Sequence, residues 1–192
     1  MTSRSNAAMQ NGVILDACQV LNLFASRRMD EILHALDGPA YVSEHAATTE
    51  ALWVGTGRRG EPNSEYEVVD LAPTIARGYL RVIRPETESE LDDFVRLATL
   101  MDDGEAMAGA LAFHRALVVG TDDRRAIGVF QRLSPPIRTI GTCAIVHTWA
   151  SRAGAMPTEL CGIVTDIRRR ARFLPPAGEA LREWWNAALV AA

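Results

Sequence analysis

Short apolar runs alternate with amphipathic segments along most of the chain. Gly12 to Asp16 (GVILD) is a buried-strand pattern that ends in an acid. Val20, Leu21, Leu23 and Phe24 then recur at helical spacing over Ala17 to Ser26, and Ile32, Leu33 and Leu36 do so over Met29 to Leu36. Asp37-Gly38-Pro39 marks a turn, and Ala40 to Ser43 a second short strand. Ser43 is placed to cap the next helix, expected to carry Glu50 and run to about Val54. The composition of Gly55 to Tyr66 predicts a loop, with a short apolar unit over Val68 to Ile75, helical from Pro73.

Gly78 to Ile83 predicts a strand. Thr87 and Glu90 have the spacing of a capping box before a helix with Leu91, Phe94, Val95, Leu97 and Met101. Glu105 to Arg115 predicts a helix of small residues, Leu117 to Thr121 a strand, Arg124 to Leu133 a helix and Arg138 to Thr142 a last strand. The tail predicts helices over Ala144 to Ala153, Glu159 to Ala171 and Gly178 to Leu189. Strand–helix alternation of this kind builds an α/β fold, with a mostly parallel sheet and helices on both faces. Residues 1–10 read as a loose arm, 11–142 as the main domain, and 143–192 as a helical extension packed on it.

Composition narrows the chemistry. At 192 residues the chain can bury a substantial core. All 20 basic residues are Arg, so no Lys can act as a base or form a Schiff base. Phosphate recognition and a GC-rich coding sequence would both account for the bias. The net charge of −4 leaves any nucleic-acid contact to local patches. Cys18, Cys143 and Cys161 are widely spaced, which argues against a zinc site or a disulfide framework. With no apolar leader or membrane span, a soluble cytoplasmic protein is expected.

Candidate chemistry lies in acids expected beyond the carboxyl ends of parallel strands. Asp16 ends the first strand, Asp122 and Asp123 end another, Glu50 lies on the helix after the second, and Glu105 opens the small-residue helix. Carboxylates sharing one cleft cannot all stay ionised without compensation. A hard divalent cation, Mg²⁺ or Mn²⁺, would supply it. Each acid also has a simpler reading: Asp16 as a helix N-cap, Glu105 as a complement to the helix dipole, and Asp102 and Asp103 as caps. Gly55 to Gly60 fits GxGxxG literally but follows a helix, the wrong context for a dinucleotide. Arg168 to Arg172 reads as a solvated helix end, with nucleic-acid contact second.

The ordered set VILDACQVLNLF, YVSEHAATTEAL, DDGEAMAGALA and VVGTDDRRA resembles the PIN-domain family of compact α/β nucleases, which includes toxins of type II toxin–antitoxin pairs. The resemblance falls on Asp16, Glu50, Glu105 and Asp123, with Asp122 in the variable slot of the T-x-D pattern. Glu44 competes with Glu50 for the second position, and Ala17 and Cys18 stand where a polar residue is common, leaving Asn22 as the nearby candidate. The resemblance implies a PIN-like three-layer α/β/α sandwich and a Mg²⁺- or Mn²⁺-dependent endoribonuclease. It further implies an RNA substrate, Arg124 as a phosphate contact, a cognate antitoxin and a homodimer. The competing expectations are a non-catalytic PIN-like binding module and another divalent-metal phosphohydrolase.

Overall fold

The computed structural model describes residues 11–48, 52–55 and 66–191. The arm over residues 1–10, Glu50 and most of the GxGxxG stretch lie outside them. Five strands form an all-parallel central sheet: β1 (Val13–Leu15), β2 (Ala40–Ser43), β5 (Leu80–Ile83), β6 (Val118–Gly120) and β7 (Thr139–Ile140), in the order β5-β2-β1-β6-β7. Helices cover both faces, giving a three-layer α/β/α sandwich.

Successive side chains of a strand point to opposite faces, and a sheet covered on both faces needs apolar residues throughout. Hence the unbroken VIL of β1: Val13 and Leu15 enter one core, and Ile14 enters the other. Val118 and Val119 of β6 divide in the same way. The first face is covered by α1 (Ala17–Ala25), α2 (Met29–His34), α8 (Thr142–Ala153), α9 (Pro157–Asp166) and α10 (Arg182–Leu189). The second is covered by α5 (Glu88–Ala98), α6 (Asp103–Arg115) and α7 (Arg124–Arg132). The tail shares the first core rather than forming its own: Ile145, Trp149, Val164 and Trp185 pack with Val13, Leu15 and Leu23.

Local signals account for most element boundaries. The Ser43 hydroxyl accepts from the Ala46 amide at 3.1 Å and starts α3 (Glu44–Thr48). Thr87 and Glu90 form the expected reciprocal capping box. Buried Glu90 also accepts from Arg115 Nε at 2.7 Å, tying the start of α5 to the end of α6. That guanidinium holds the Glu90 carboxyl down at about 2.

Three expectations need correction. The helix from Ser43 does not run to Val54. It ends at Thr48 in the described residues, and Trp53–Gly55 is strand β3, paired antiparallel with β4 (Tyr66–Val68). Trp53 and Val54 have aromatic and β-branched side chains, which suit a strand better than a helix end. The expected loop, Gly55 to Tyr66, overlaps this strand pair only at its two ends, its interior lies outside the described residues, and the pair is separate from the main sheet. Next comes α4 (Ala72–Ala76). The last strand is only Thr139–Ile140, because Thr142 opens α8. The helix expected over Glu159 to Ala171 stops at Asp166 and continues as a π-helical turn, Ile167–Ala171.

Gly109 sets the spacing between α6 and α7. A Cβ there would lie 2.5 Å from Phe130 Cε1 and 3.1 Å from Leu97 Cδ1. Alanine would gain about 1 kcal/mol of helix propensity but incur an overpacking cost of about 1–3 kcal/mol. Gly109→Ala is therefore expected to be net destabilising, by up to about 2 kcal/mol, read as a lower urea midpoint at unchanged slope.

Candidate functional site

The chain runs out from β1 along one side of the sheet to β2 and β5, and returns to place β6 on the other side of β1. The carboxyl ends of β1 and β6 thus flank a topological switch point, where open α/β sheets form ligand crevices. Both strands end there in an aspartate that starts a helix. Asp16 Oδ1 accepts from the Gln19 amide at 2.7 Å and caps α1, and Asp123 Oδ1 accepts from the Ala126 amide at 2.8 Å and caps α7. The Asp16 amide donates to the Gly120 carbonyl at 3.0 Å, which locks the two strand ends together.

Asp16 is only 4% exposed. Burial pushes it up to about 7, against hydrogen bonds from Thr121 and the Gln19 amide, and repulsion from Asp122 and Glu105 raises it further. Glu105 lies in the first turn of α6, half-buried. Its carboxyl is also raised, by burial first and then by Asp123; the Asp102 backbone amide opposes this, as does Arg125 more weakly. Asp16 and Glu105 line one cleft of about 570 Å³ together with Cys18, His45, Met101 and Asp102. Asp102 occupies the N-cap position of α6 and makes no side-chain cap bond.

Asp122 faces elsewhere. Its Oδ2 accepts from Gln19 Nε2 (2.8 Å), Asn22 Nδ2 (3.3 Å) and Thr142 Oγ1 (2.5 Å). Its Oδ1 accepts from the Thr142 amide at 3.0 Å and so serves the start of α8, whose own N-cap residue is Gly141. A Cβ at Gly141 would lie 2.9 Å from that oxygen. Burial raises the Asp122 carboxyl, while Thr142 and Asn22 hydrogen bonds oppose the rise and nearby Glu179 adds to it. No family model, curated protein or solved structure matches this chain. The site has to be read from its own geometry.

Of the acids singled out in the sequence, Asp16 and Glu105 share the cleft, and Asp123 joins them through its repulsion of Glu105. Asp122 is the anchor of a hydrogen-bond network on the other side of the loop. Glu50 is outside the described residues. Among the described residues, no three His, Cys, Asp or Glu side chains come together as a metal-holding group. Asp16 and Glu105 nonetheless suit a hard divalent cation by chemistry: they are carboxylates that repel each other, one buried and one half-buried, and Cys18 and His45 on the same cleft do not complete a soft ligand set among the described residues.

Arg124 donates to the Ala177 carbonyl and lines a different cleft, of about 710 Å³, with Arg138, Arg152 and Glu179. Arg125 is the arginine whose charge reaches Glu105. Sequence reading missed Gln19, Thr121 and Thr142 as network members. The available signal was Gln19 and Asn22, two amides three residues apart on the buried side of α1. Cys143 is no alternative nucleophile, because burial pushes its thiol up to about 12. No described helix is long and apolar enough to cross a membrane.

Two outcomes are expected. The folded chain holds a proton on Asp16 up to about pH 7, whereas the unfolded chain releases it near 3.8. Stability should therefore fall as pH rises between those values and level off above. Asp16→Asn keeps the cap and removes the titration, so it should flatten this slope and gain up to about 4 kcal/mol at neutral pH, measured by denaturation at several pH values. Asp122→Ala takes the acceptor from Gln19 Nε2 and from the Thr142 amide and hydroxyl, while Asn22 keeps Thr142 Oγ1 as its acceptor. It should cost about 3 kcal/mol or more in the same assay.

Proposed function

We propose that the chain is a divalent-metal-dependent ribonuclease of the PIN type. The observation that carries this reading is the meeting of carboxyls near the carboxyl ends of β1 and β6: Asp16, buried and raised to about 7, shares one cleft with half-buried Glu105, which Asp123 also repels. A purely structural cap gains nothing from burial beside other acids, whereas a cation site uses exactly such donors when they are deprotonated.

Asp16, Glu105 and Asp123 would hold the metal, with Glu50 as the fourth acid that the family resemblance implies. When bound, Mg²⁺ or Mn²⁺ would supply Lewis-acid polarisation of a phosphate oxygen and a water of lowered pKa. The protein's own residues supply the rest. The Thr121 hydroxyl and the Gln19 amide favour the ionised form of Asp16. Asp123 is fixed by its cap bond to Ala126, so one oxygen is committed and the other makes no hydrogen bond among the described residues. Asp122 is read as the anchor that holds the Thr121–Asp123 loop, rather than as a ligand. Arg125 is the better candidate for a phosphate contact near Glu105, and Arg124 is committed to Ala177. A toxin role, with a cognate antitoxin covering the cleft and a homodimeric assembly, belongs to the same proposal and comes from the family resemblance.

The deciding experiment is cleavage of single-stranded RNA by the full chain with EDTA, Mg²⁺ or Mn²⁺. Cleavage should require the metal, and Asp16→Asn and Glu105→Gln should each lower it by about a hundredfold or more. Cleavage that persists in EDTA, or variants as active as the parent, would falsify the ribonuclease reading. Metal binding should also strengthen as pH rises through about 7, where Asp16 loses its proton.

A further inference from the structure

The β3–β4 hairpin has two unlike faces. Val54 and Glu67 are opposite each other in the register and belong to the inner face. Val54 is buried, and the Glu67 carboxylate accepts from Arg170 Nη2 at 2.7 Å. Arg170 is itself buried, donates to the Ala25 carbonyl at 2.6 Å, and so pins the π-helical turn to the end of α1. The outer face carries Trp53, Tyr66 and Val68, each more than half exposed. Trp53 lies opposite Val68 and Tyr66 opposite Gly55, which makes the two aromatic residues diagonal neighbours, about 7–8 Å apart.

Positive charge sits beside this face. The π-helical turn packs on β3, and the Arg170 carbonyl comes within 3.5 Å of where a Gly55 Cβ would be. Arg168, Arg169 and Arg172 on and after this turn are exposed. Arg172 Nη2 donates to the Tyr66 hydroxyl at 3.2 Å, which fixes one guanidinium against the aromatic surface. Arg168 and Arg169 form no ion pair among the described residues. Among the described acids, Glu67 is engaged by Arg170 and Asp166 by Arg27 at 3.6 Å, whereas Asp70, which lines a cleft with Trp53 and Val68, forms no ion pair. A cationic, aromatic patch on a chain of net charge −4 calls for a polyanion that also has flat apolar faces. Single-stranded nucleic acid has both. In a duplex the bases are stacked on one another and cannot lie on side chains.

We infer that the outer face of the hairpin, with Trp53, Tyr66, Arg168, Arg169 and Arg172, is a stacking platform for unpaired bases of single-stranded RNA outside the acidic cleft. It gives the proposed ribonuclease a second hold on its substrate and depends on that reading for its purpose, though not for its measurement.

The test uses the full chain in EDTA and a labelled single-stranded RNA of about 12 nucleotides, followed by fluorescence anisotropy. Trp53→Ala and Tyr66→Ala should each weaken binding about fivefold or more, while Trp53→Phe should retain most of the affinity. Removing Arg168 and Arg169 together should weaken binding and flatten its salt dependence by about 1.4 in log–log slope. Thermal melts followed by circular dichroism separate these losses from unfolding. The platform is overturned if the parent does not bind the strand, if folded Trp53→Ala and Tyr66→Ala bind as tightly as the parent, or if duplex RNA binds equally well. Binding that needs the platform without any cleavage in Mg²⁺ or Mn²⁺ would sink the nuclease and leave the platform standing. Cleavage with unaffected binding by the hairpin variants would do the reverse.

Discussion

Three segments widely separated in sequence meet on one carboxylate. Asp122 accepts from Gln19 and Asn22 of α1 and from both the amide and the hydroxyl of Thr142 at the start of α8. Helix starts leave amides without internal partners, and a buried amide or hydroxyl without a partner costs about 1–3 kcal/mol. Asp122 meets several of these needs at once. It thereby fixes the path of the loop in which Thr121 faces Asp16 and Asp123 caps α7. The acidic cleft on the other side of that loop inherits its geometry from this anchor.

The cleft is electrostatically costly. Asp16 and Glu105 sit where desolvation and repulsion from neighbouring acids both disfavour their charged forms, and Arg125 offsets only part of this at Glu105. Glu90 is the useful contrast. It is also buried, but Arg115 is bonded to it and holds its carboxyl near 2. The fold can therefore satisfy a buried acid fully where it has only a structural role. At the ends of β1 and β6 it does not, and this difference separates a candidate cation site from a set of caps.

Much of this was legible in the sequence because it depends on local rules. VIL and VVG read as strands buried on both faces, and Ser43 and Thr87 read as helix starts. Asp16 and Asp123 each follow an apolar run, so the carboxyl-end rule alone brings them to one end of the sheet. The hairpin was not legible. Its strands are three residues each, and Trp53 and Val54 continue the apolar pattern of the preceding helix. Which way Asp122 faces was equally hidden, because adjacent aspartates differ only in the side of the loop they face. The partner that decides it, Thr142, lies 20 residues further on.

The shared core of the first sheet face has a consequence for biosynthesis. Val13, Leu15 and Leu23 are made well before Ile145, Trp149, Val164 and Trp185, which cover them. While the first 142 residues emerge from the ribosome, one side of the sheet lacks part of its cover, and Asp122 has not met its partners on α8. Assembly of the acidic cleft is thus tied to completion of the tail. The nascent chain cannot present the finished site until the tail helices have been made, and until then its exposed apolar face is a natural target for chaperones.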